Sequence, residues 1–216
     1  MATRWYSCIV SLDLKLLFAY RSVLFCAVRN VVNPDPKAFK FHIGKGLANS
    51  GSGTGAAVLE AVQGCVDNGA KVISMSLGGS GASNIAREAY DTHYDNGVLI
   101  VAAAGNSGNG AFSYPASYEA VMSVAAVNTP ARNRASFSQF NSQLEISGPG
   151  VQVQSTSNAD LGVNGIRTLS GTSMVSRSRA LLCTVVLGAL YYICIHVPLD
   201  HPTTRPPSNS IAITLD

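Results

Sequence analysis

The sequence is poor in charge, with Asp, Glu, Lys and Arg making up 12% of its 216 residues and a formal net charge of +3. The basic residues are scattered, and no basic run is interleaved with aromatic side chains, so nucleic acid is not expected as a partner. Apolar residues reach 47% and glycines number 20. This composition is typical of one tightly packed domain with many special turns, and it argues against disorder over most of the chain.

Metal-binding and disulfide patterns are also absent. The five cysteines are odd in number, form no Cys-x-x-Cys pair and have no histidine pair nearby, so neither a zinc site nor a disulfide framework follows. A clear secretory signal is missing, because Asp13, Lys15 and Arg21 interrupt the apolar N-terminal stretch. The localisation therefore stays open.

Two segments have helical periodicity. The spacing of apolar residues predicts one helix from Thr54 to Asn68, with Ser52 or Thr54 as its cap, and a second from Ser83 to Tyr94. An Asn-Gly pair after each segment predicts where it ends. The string Gly51-Ser-Gly-Thr-Gly55 resembles a dinucleotide-binding loop, but no acidic residue follows at the required distance, so a helix cap is the better interpretation.

Buried-type strands alternate with these helices. They are predicted at Lys40–Ile43, Lys71–Leu77, Val98–Ala104 and Val121–Val127. Such alternation indicates an α/β fold with a parallel sheet, helices on both faces, and the last three strands as parallel neighbours. Functional residues of these sheets collect beyond the carboxyl ends of the strands.

The chain divides into three unequal pieces. Residues 33–176 carry the regular pattern, whereas 1–32 and 177–216 do not share it, and the last segment ends in a proline-rich tail. Residues 180–199 contain no charged side chain and reach the length of about 20 residues that a bilayer span needs. Membrane association through 180–199 is therefore one expectation.

Six short strings carry the chemistry. Leu169-Ser-Gly-Thr-Ser-Met174 supplies a candidate nucleophile, Ser173, and Asn106 in a second string is a candidate oxyanion donor, which are two parts of an acyl-transfer site. The strings, in chain order, are Val72-Ile-Ser-Met-Ser-Leu-Gly-Gly79, Val101-Ala-Ala-Ala-Gly-Asn-Ser-Gly108, Ser113-Tyr-Pro-Ala116, Ala135-Ser-Phe-Ser138, Gly148-Pro-Gly150 and Gly171-Thr-Ser-Met174.

In their order and spacing these strings resemble those of subtilisin-like serine proteases, over roughly two thirds of the chain. The resemblance implies that Ser173 is the nucleophile and that the Asn106 side chain and the Ser173 backbone N–H form the oxyanion hole. It also implies substrate-binding roles: a strand that pairs with the substrate backbone, a pocket wall and a pocket floor. The residues concerned are Ser76, Leu77 and Gly78 for the strand, Ala103 and Gly105 for the wall, and Ser113 for the floor.

The departures from the family pattern concern the groups that activate the serine. The family's Asp-Ser/Thr-Gly and His-Gly-Thr-His strings do not occur, and Arg177 and Arg179 stand where the family packs its central helix. The sequence thus predicts an incomplete, truncated catalytic domain that lacks the Asp and His of the triad. The four histidines are interpreted as structural or surface residues, namely His42, His93, His196 and His201.

Three functions follow from this pattern. The first is a serine endopeptidase of the subtilisin-like class, which acts on polypeptides through an acyl-enzyme. This chain is predicted to be inactive because the Asp and His of the triad are absent. The alternatives are a non-catalytic peptide binder, in which the Ser76 segment pairs with an added strand, and a membrane-anchored protease remnant. No cofactor is expected; the resemblance makes calcium an option, but no ligands for it can be identified.

Overall fold

The fold is built around one sheet. The computed structural model describes residues 5–10, 39–48, 50–129, 131, 133–156, 166–176 and 178. Seven strands form the sheet: β1 (Trp5–Val10), β2 (Phe39–Gly44), β3 (Val72–Met75), β4 (Leu99–Ala103), β5 (Val121–Asn128), β6 (Asn133–Arg134) and β7 (Leu144–Pro149). The two helices with assigned bounds are α1 (Gly55–Asp67) and α2 (Asn84–Asp95), and β8 (Val153–Thr156) pairs with β9 (Ile166–Leu169) in a separate antiparallel sheet.

The central strands are parallel neighbours, as the sequence predicts. The order across the sheet is β2-β1-β3-β4-β5-β6, with β7 also paired to β5. Strand β3 pairs in parallel with β4, and β4 pairs in parallel with β5. The two-residue strand β6 runs antiparallel to β5, so the sheet is mixed there.

Strand β1 is not predicted by the sequence pattern. It lies between β2 and β3 and is parallel to both, so the N-terminal region contributes a strand to the sheet. The division of the chain at residues 32 and 176 nevertheless remains a prediction. Arg177, Arg179, His196, His201 and residues 180–199 lie outside the described residues.

Both helices begin and end where their caps predict. The Thr54 hydroxyl accepts a hydrogen bond from the N–H of Ala57 at 3.2 Å, and the Ser83 hydroxyl accepts one from Ala86 at 3.3 Å. A glycine with positive φ follows each C-terminal Asn, at 82° for Gly69 and 75° for Gly97. Local side-chain and backbone chemistry therefore determines the ends of both helices.

Two cores cover opposite faces of the sheet. Ile73 on β3 packs in the core that α1 and α2 close. Its neighbour Val72 points to the other face, where Val175, from the helical residues 172–176, closes a second core. Because all four residues of β3 are buried, both faces of the strand contribute to stability.

Cys65 corrects the cysteine prediction. It is fully buried on α1 and is disulfide-bonded, although the cysteine spacing indicates no disulfide framework.

None of the helices in the described ranges combines the length and hydropathy needed to cross a membrane.

Candidate active site

The candidate site is a cleft at the carboxyl ends of β3 and β4. Its volume is about 360 Å³. All eight site residues predicted from the sequence line this cleft, and another eight residues complete the lining. The predicted eight are Ser76, Leu77, Gly78, Ala103, Gly105, Asn106, Ser113 and Ser173, and the others are Gly79, Ser80, Ser107, Asn109, Ala111, Phe112, Gln139 and Thr172.

A tight turn after β4 brings Asn106 to the cleft. Gly105 has φ +111°, a conformation that a residue with a Cβ rarely adopts. Its N–H donates to Thr172 Oγ1 at 3.3 Å, and its carbonyl accepts from the N–H of Gln139 at 3.0 Å. The turn is thus held from both sides.

The Asn106 side chain is held by the residue next to Ser173. Its Oδ1 accepts hydrogen bonds from the backbone N–H and the hydroxyl of Thr172, both at 2.9 Å. This assigns the carbonyl end of the amide to Thr172 and leaves Nδ2 as the donor end. A Cβ on Gly171 would lie 3.5 Å from Nδ2 and 3.8 Å from the Ser173 backbone N, so both nitrogen atoms are close neighbours of Gly171.

Ser173 lies in the first turn of the helical residues 172–176 and is half-buried. Its carbonyl accepts hydrogen bonds from the Ser76 hydroxyl at 3.1 Å and from the Ser176 hydroxyl at 3.3 Å. The bond from Ser76 connects the Ser173 turn to the end of β3. The Ser76 hydroxyl is therefore used inside the protein.

The opposite side of the cleft depends on Gly78. A Cβ at this position would lie 2.5 Å from Ser113 Oγ, so any other residue would displace the Ser113 hydroxyl. Gly79 and Tyr114 exchange two backbone hydrogen bonds, at 2.9 and 2.8 Å. Ser113 is nearly buried, and its N–H donates to the Ser117 hydroxyl at 3.1 Å. A backbone hydrogen bond thus fixes Ser113 within the lining of the cleft, while its role as the pocket floor stays a prediction.

Neither described histidine lines the cleft. His93 is buried near the end of α2, and its carbonyl accepts from Val98, just before β4 begins, so it lies at the opposite edge of the sheet. Burial lowers the pKa of His93, and the charge of Asp67 opposes this by raising it. His42 lies on β2, which β1 separates from β3. Among the described lining residues no side chain is ionisable in the range of a general base.

Glu145 is an unusual carboxylate that does not line the cleft. It lies at an irregularity in the pairing of β5 with β7, where its carboxylate accepts from the N–H of Ser123. The residue as a whole is exposed, but burial of the carboxyl group raises its pKa to about 8, against the opposing effect of that hydrogen bond. Over the described ranges no three His, Cys, Asp or Glu side chains cluster as metal ligands.

Two of the eight lining residues that the sequence does not predict contact the predicted ones. Thr172 orients Asn106, and Gln139 packs its side chain against Gly105. Both stand within or next to a recognised string, since Thr172 belongs to Gly171-Thr-Ser-Met174 and Gln139 directly follows Ala135-Ser-Phe-Ser138. The strings therefore mark the right neighbourhood but not the contacts within it.

A largely parallel sheet that brings a serine and an amide donor together at the ends of its strands is the arrangement expected of an α/β acyl-transfer enzyme. Residues 36–183 match the model of the Subtilase family. Because this match covers more than half of the chain, the chain belongs to the subtilase family.

Curated relatives are similar over the same region. Subtilisin DY of Bacillus licheniformis is 42% identical over 148 residues, which cover 67% of this chain and 52% of that protein. Thermitase of Thermoactinomyces vulgaris is 40% identical over 130 residues, which cover 60% of this chain and 45% of that protein. The chain thus spans about half the length of these relatives.

Solved structures show the same fold. A psychrophilic subtilisin-like protease from Pseudoalteromonas sp. AS-11 superposes with a TM-score of 0.62 at 34% identity, covering 73% of this chain and 44% of that chain. A lanthipeptide protease superposes with a TM-score of 0.69 and covers 85% of this chain and 73% of that chain. Its identity is 16%, so this second likeness concerns the fold alone.

Proposed function

We propose that the cleft is the polypeptide-binding and nucleophile-bearing part of a subtilisin-like serine endopeptidase, and that this chain by itself binds peptides without cleaving them efficiently. The observation that carries the proposal is that Asn106 and Ser173 line one cleft, with Asn106 Nδ2 and the Ser173 backbone N both beside Gly171. Two N–H donors that point at one carbonyl oxygen can stabilise the oxyanion that forms when a serine attacks the carbonyl.

In this reaction the Ser173 hydroxyl attacks a peptide carbonyl, and the resulting oxyanion accepts hydrogen bonds from both donors. Collapse of the tetrahedral species would expel the amine and leave an acyl-enzyme, which water hydrolyses. Thr172 supports the step indirectly, because its two hydrogen bonds to Asn106 Oδ1 keep the amide nitrogen turned outwards. The orientation of the donor is thus determined before any substrate arrives.

The step that lacks support is proton removal. A serine hydroxyl is a weak nucleophile until a neighbouring base accepts its proton. The described lining of the cleft contains no histidine, aspartate or glutamate. We therefore expect acylation of Ser173 to be negligible in this chain, while peptide binding persists.

One observation favours non-catalytic peptide binding as the second candidate. Within the described part of the chain, the backbone groups of Leu77 and Gly78 make no hydrogen bond to other backbone groups. A peptide in extended conformation could pair with them as an added strand. Membrane anchoring has no comparable observation behind it.

Two measurements on the purified chain test the proposal. A fluorophosphonate probe at about pH 8 should label Ser173 no more than it labels a heat-unfolded control or the Ser173→Ala variant. Fluorescence anisotropy with short extended peptides should detect binding to the folded protein. Stoichiometric labelling that disappears in Ser173→Ala would show that a base is present, and the absence of any peptide binding would refute the assignment of the cleft.

A further inference from the structure

Gln139 presents a hydrogen-bond acceptor at the cleft. The residue is only 5% exposed and directly follows a recognised sequence string. Its Nε2 donates to the carbonyl of Ala111 at 2.6 Å. The same carbonyl also accepts from Asn141 Nδ2 at 3.1 Å. Because a carbonyl can only accept, the contact with Ala111 identifies the nitrogen of the Gln139 amide and thereby its oxygen.

The oxygen of this amide lies against Gly105. The position that a Cβ on Gly105 would occupy is 1.6 Å from Gln139 Oε1 and 3.4 Å from Nε2. The missing side chain of Gly105 therefore makes the space for Oε1. A glycine at this turn serves the placement of the Gln139 amide as well as the backbone conformation.

Oε1 has no hydrogen-bond partner in the described protein and keeps some contact with solvent. It accepts no hydrogen bond from any described residue, and it is not among the buried side-chain atoms left without a partner. An oxygen that is neither bonded nor sealed from solvent must reach open space, and Gln139 is one of the residues that line the cleft. A carboxamide held at its nitrogen end thus offers a lone pair to a bound group.

We propose that Gln139 is a specificity-determining residue, which favours peptides whose side chain in the cleft is neutral and ends in a hydrogen-bond donor. The proposal rests on the proposed function, since it assumes that a peptide side chain enters the cleft. Donor selectivity arises because Oε1 can only accept, whereas the Ser113 hydroxyl can donate or accept and does not discriminate.

The preference for an uncharged peptide side chain follows from the residues that line the cleft. No acidic or basic side chain is among the described residues of the cleft, so a lysine or arginine would lose hydration without gaining a counter-charge. A glutamine or a tyrosine side chain carries a donor and no charge. A side chain without the donor would bury Oε1 unpaired, which is unfavourable.

The test compares isosteric pairs of peptides. Fluorescently labelled, blocked tri-alanine peptides carry glutamine, methionine, tyrosine or phenylalanine as the residue that follows, and anisotropy measures their dissociation constants. We expect the wild-type chain to prefer glutamine over methionine, and tyrosine over phenylalanine, by about two- to tenfold, the usual net effect of one neutral hydrogen bond.

The variant Gln139→Met keeps the shape of the side chain and removes the acceptor, so both preferences should fall to about onefold. Asn141→Ala is the matched control, because it removes the other donor to the Ala111 carbonyl without altering the cleft, and it should keep both preferences. If Gln139→Met does not fold, as judged by circular dichroism, Gln139→Asn withdraws the oxygen by one methylene and should also abolish them.

The outcomes separate the two hypotheses. If none of the four peptides binds, the proposed function itself is wrong. If the peptides bind but the wild-type chain shows no preference, or a preference persists in the folded Gln139 variants, the cleft binds peptides and the role of Gln139 is refuted.

Discussion

Replacement of Gly105 by alanine tests the geometry of the cleft most directly. The new Cβ meets two obstacles: a backbone with φ +111°, and the Gln139 Oε1 atom 1.6 Å away. The backbone strain costs about 1–3 kcal/mol in such a region. Displacement of the Gln139 amide would also break its hydrogen bond to the Ala111 carbonyl, at a cost of about 1 kcal/mol.

Together these effects predict that Gly105→Ala lowers the free energy of unfolding by about 2–4 kcal/mol, a large part of the stability of an ordinary domain. Gly97 supplies the control for the backbone alone. Its φ is +75° and a Cβ there would meet nothing within 4 Å, so Gly97→Ala should cost only about 1 kcal/mol. Gly81→Ala, with neither obstacle, should change stability little.

Urea unfolding followed by far-ultraviolet circular dichroism measures all three variants. A double-mutant cycle isolates the steric clash between the new Cβ and the Gln139 amide. In a Gln139→Ala background, the loss of unfolding free energy caused by Gly105→Ala should decrease towards that caused by Gly97→Ala. If Gly105→Ala proves no more destabilising than Gly97→Ala, the Gln139 amide does not occupy the space beside Gly105. The specificity proposal would then lose its structural basis.

Two further predictions concern Thr172 and Glu145. Thr172 is fully buried and its hydroxyl bonds both Asn106 and Gly105, so Thr172→Val should lower the free energy of unfolding by about 1–3 kcal/mol and broaden the NMR signals of the Asn106 side-chain amide. Thr172→Ser keeps the hydroxyl and should preserve both properties. Unchanged Asn106 signals in Thr172→Val would contradict the reasoning. The pKa of Glu145 is raised from 4.5 to about 8, so the folded state holds the proton more tightly and the free energy of unfolding falls as pH rises through this window. Thermal unfolding at several pH values should show a smaller decrease for Glu145→Gln than for the wild-type chain. An equal decrease in both proteins would exclude Glu145 as its source.

The sequence determines the local elements of this protein, because their signals lie within a few residues of one another. Helix α1 begins after Thr54, whose hydroxyl accepts from a backbone N–H three residues on, and ends before an Asn-Gly pair. The short strings also predict which residues meet in the cleft. Two of these strings end β3 and β4, and a third begins the helical residues 172–176. In a parallel sheet the carboxyl ends of the strands lie on one side, where functional residues collect.

Only the tertiary structure decides the contacts between distant segments. The Ser76 hydroxyl bonds the Ser173 carbonyl 97 residues away, and Thr172 turns the Asn106 amide across 66 residues. The local pattern likewise does not predict the insertion of β1 between β2 and β3 or the contact of the Gln139 oxygen with Gly105. Hydrophobic periodicity specifies which face of an element is buried, but hydrogen-bond partners depend on how the whole sheet is assembled.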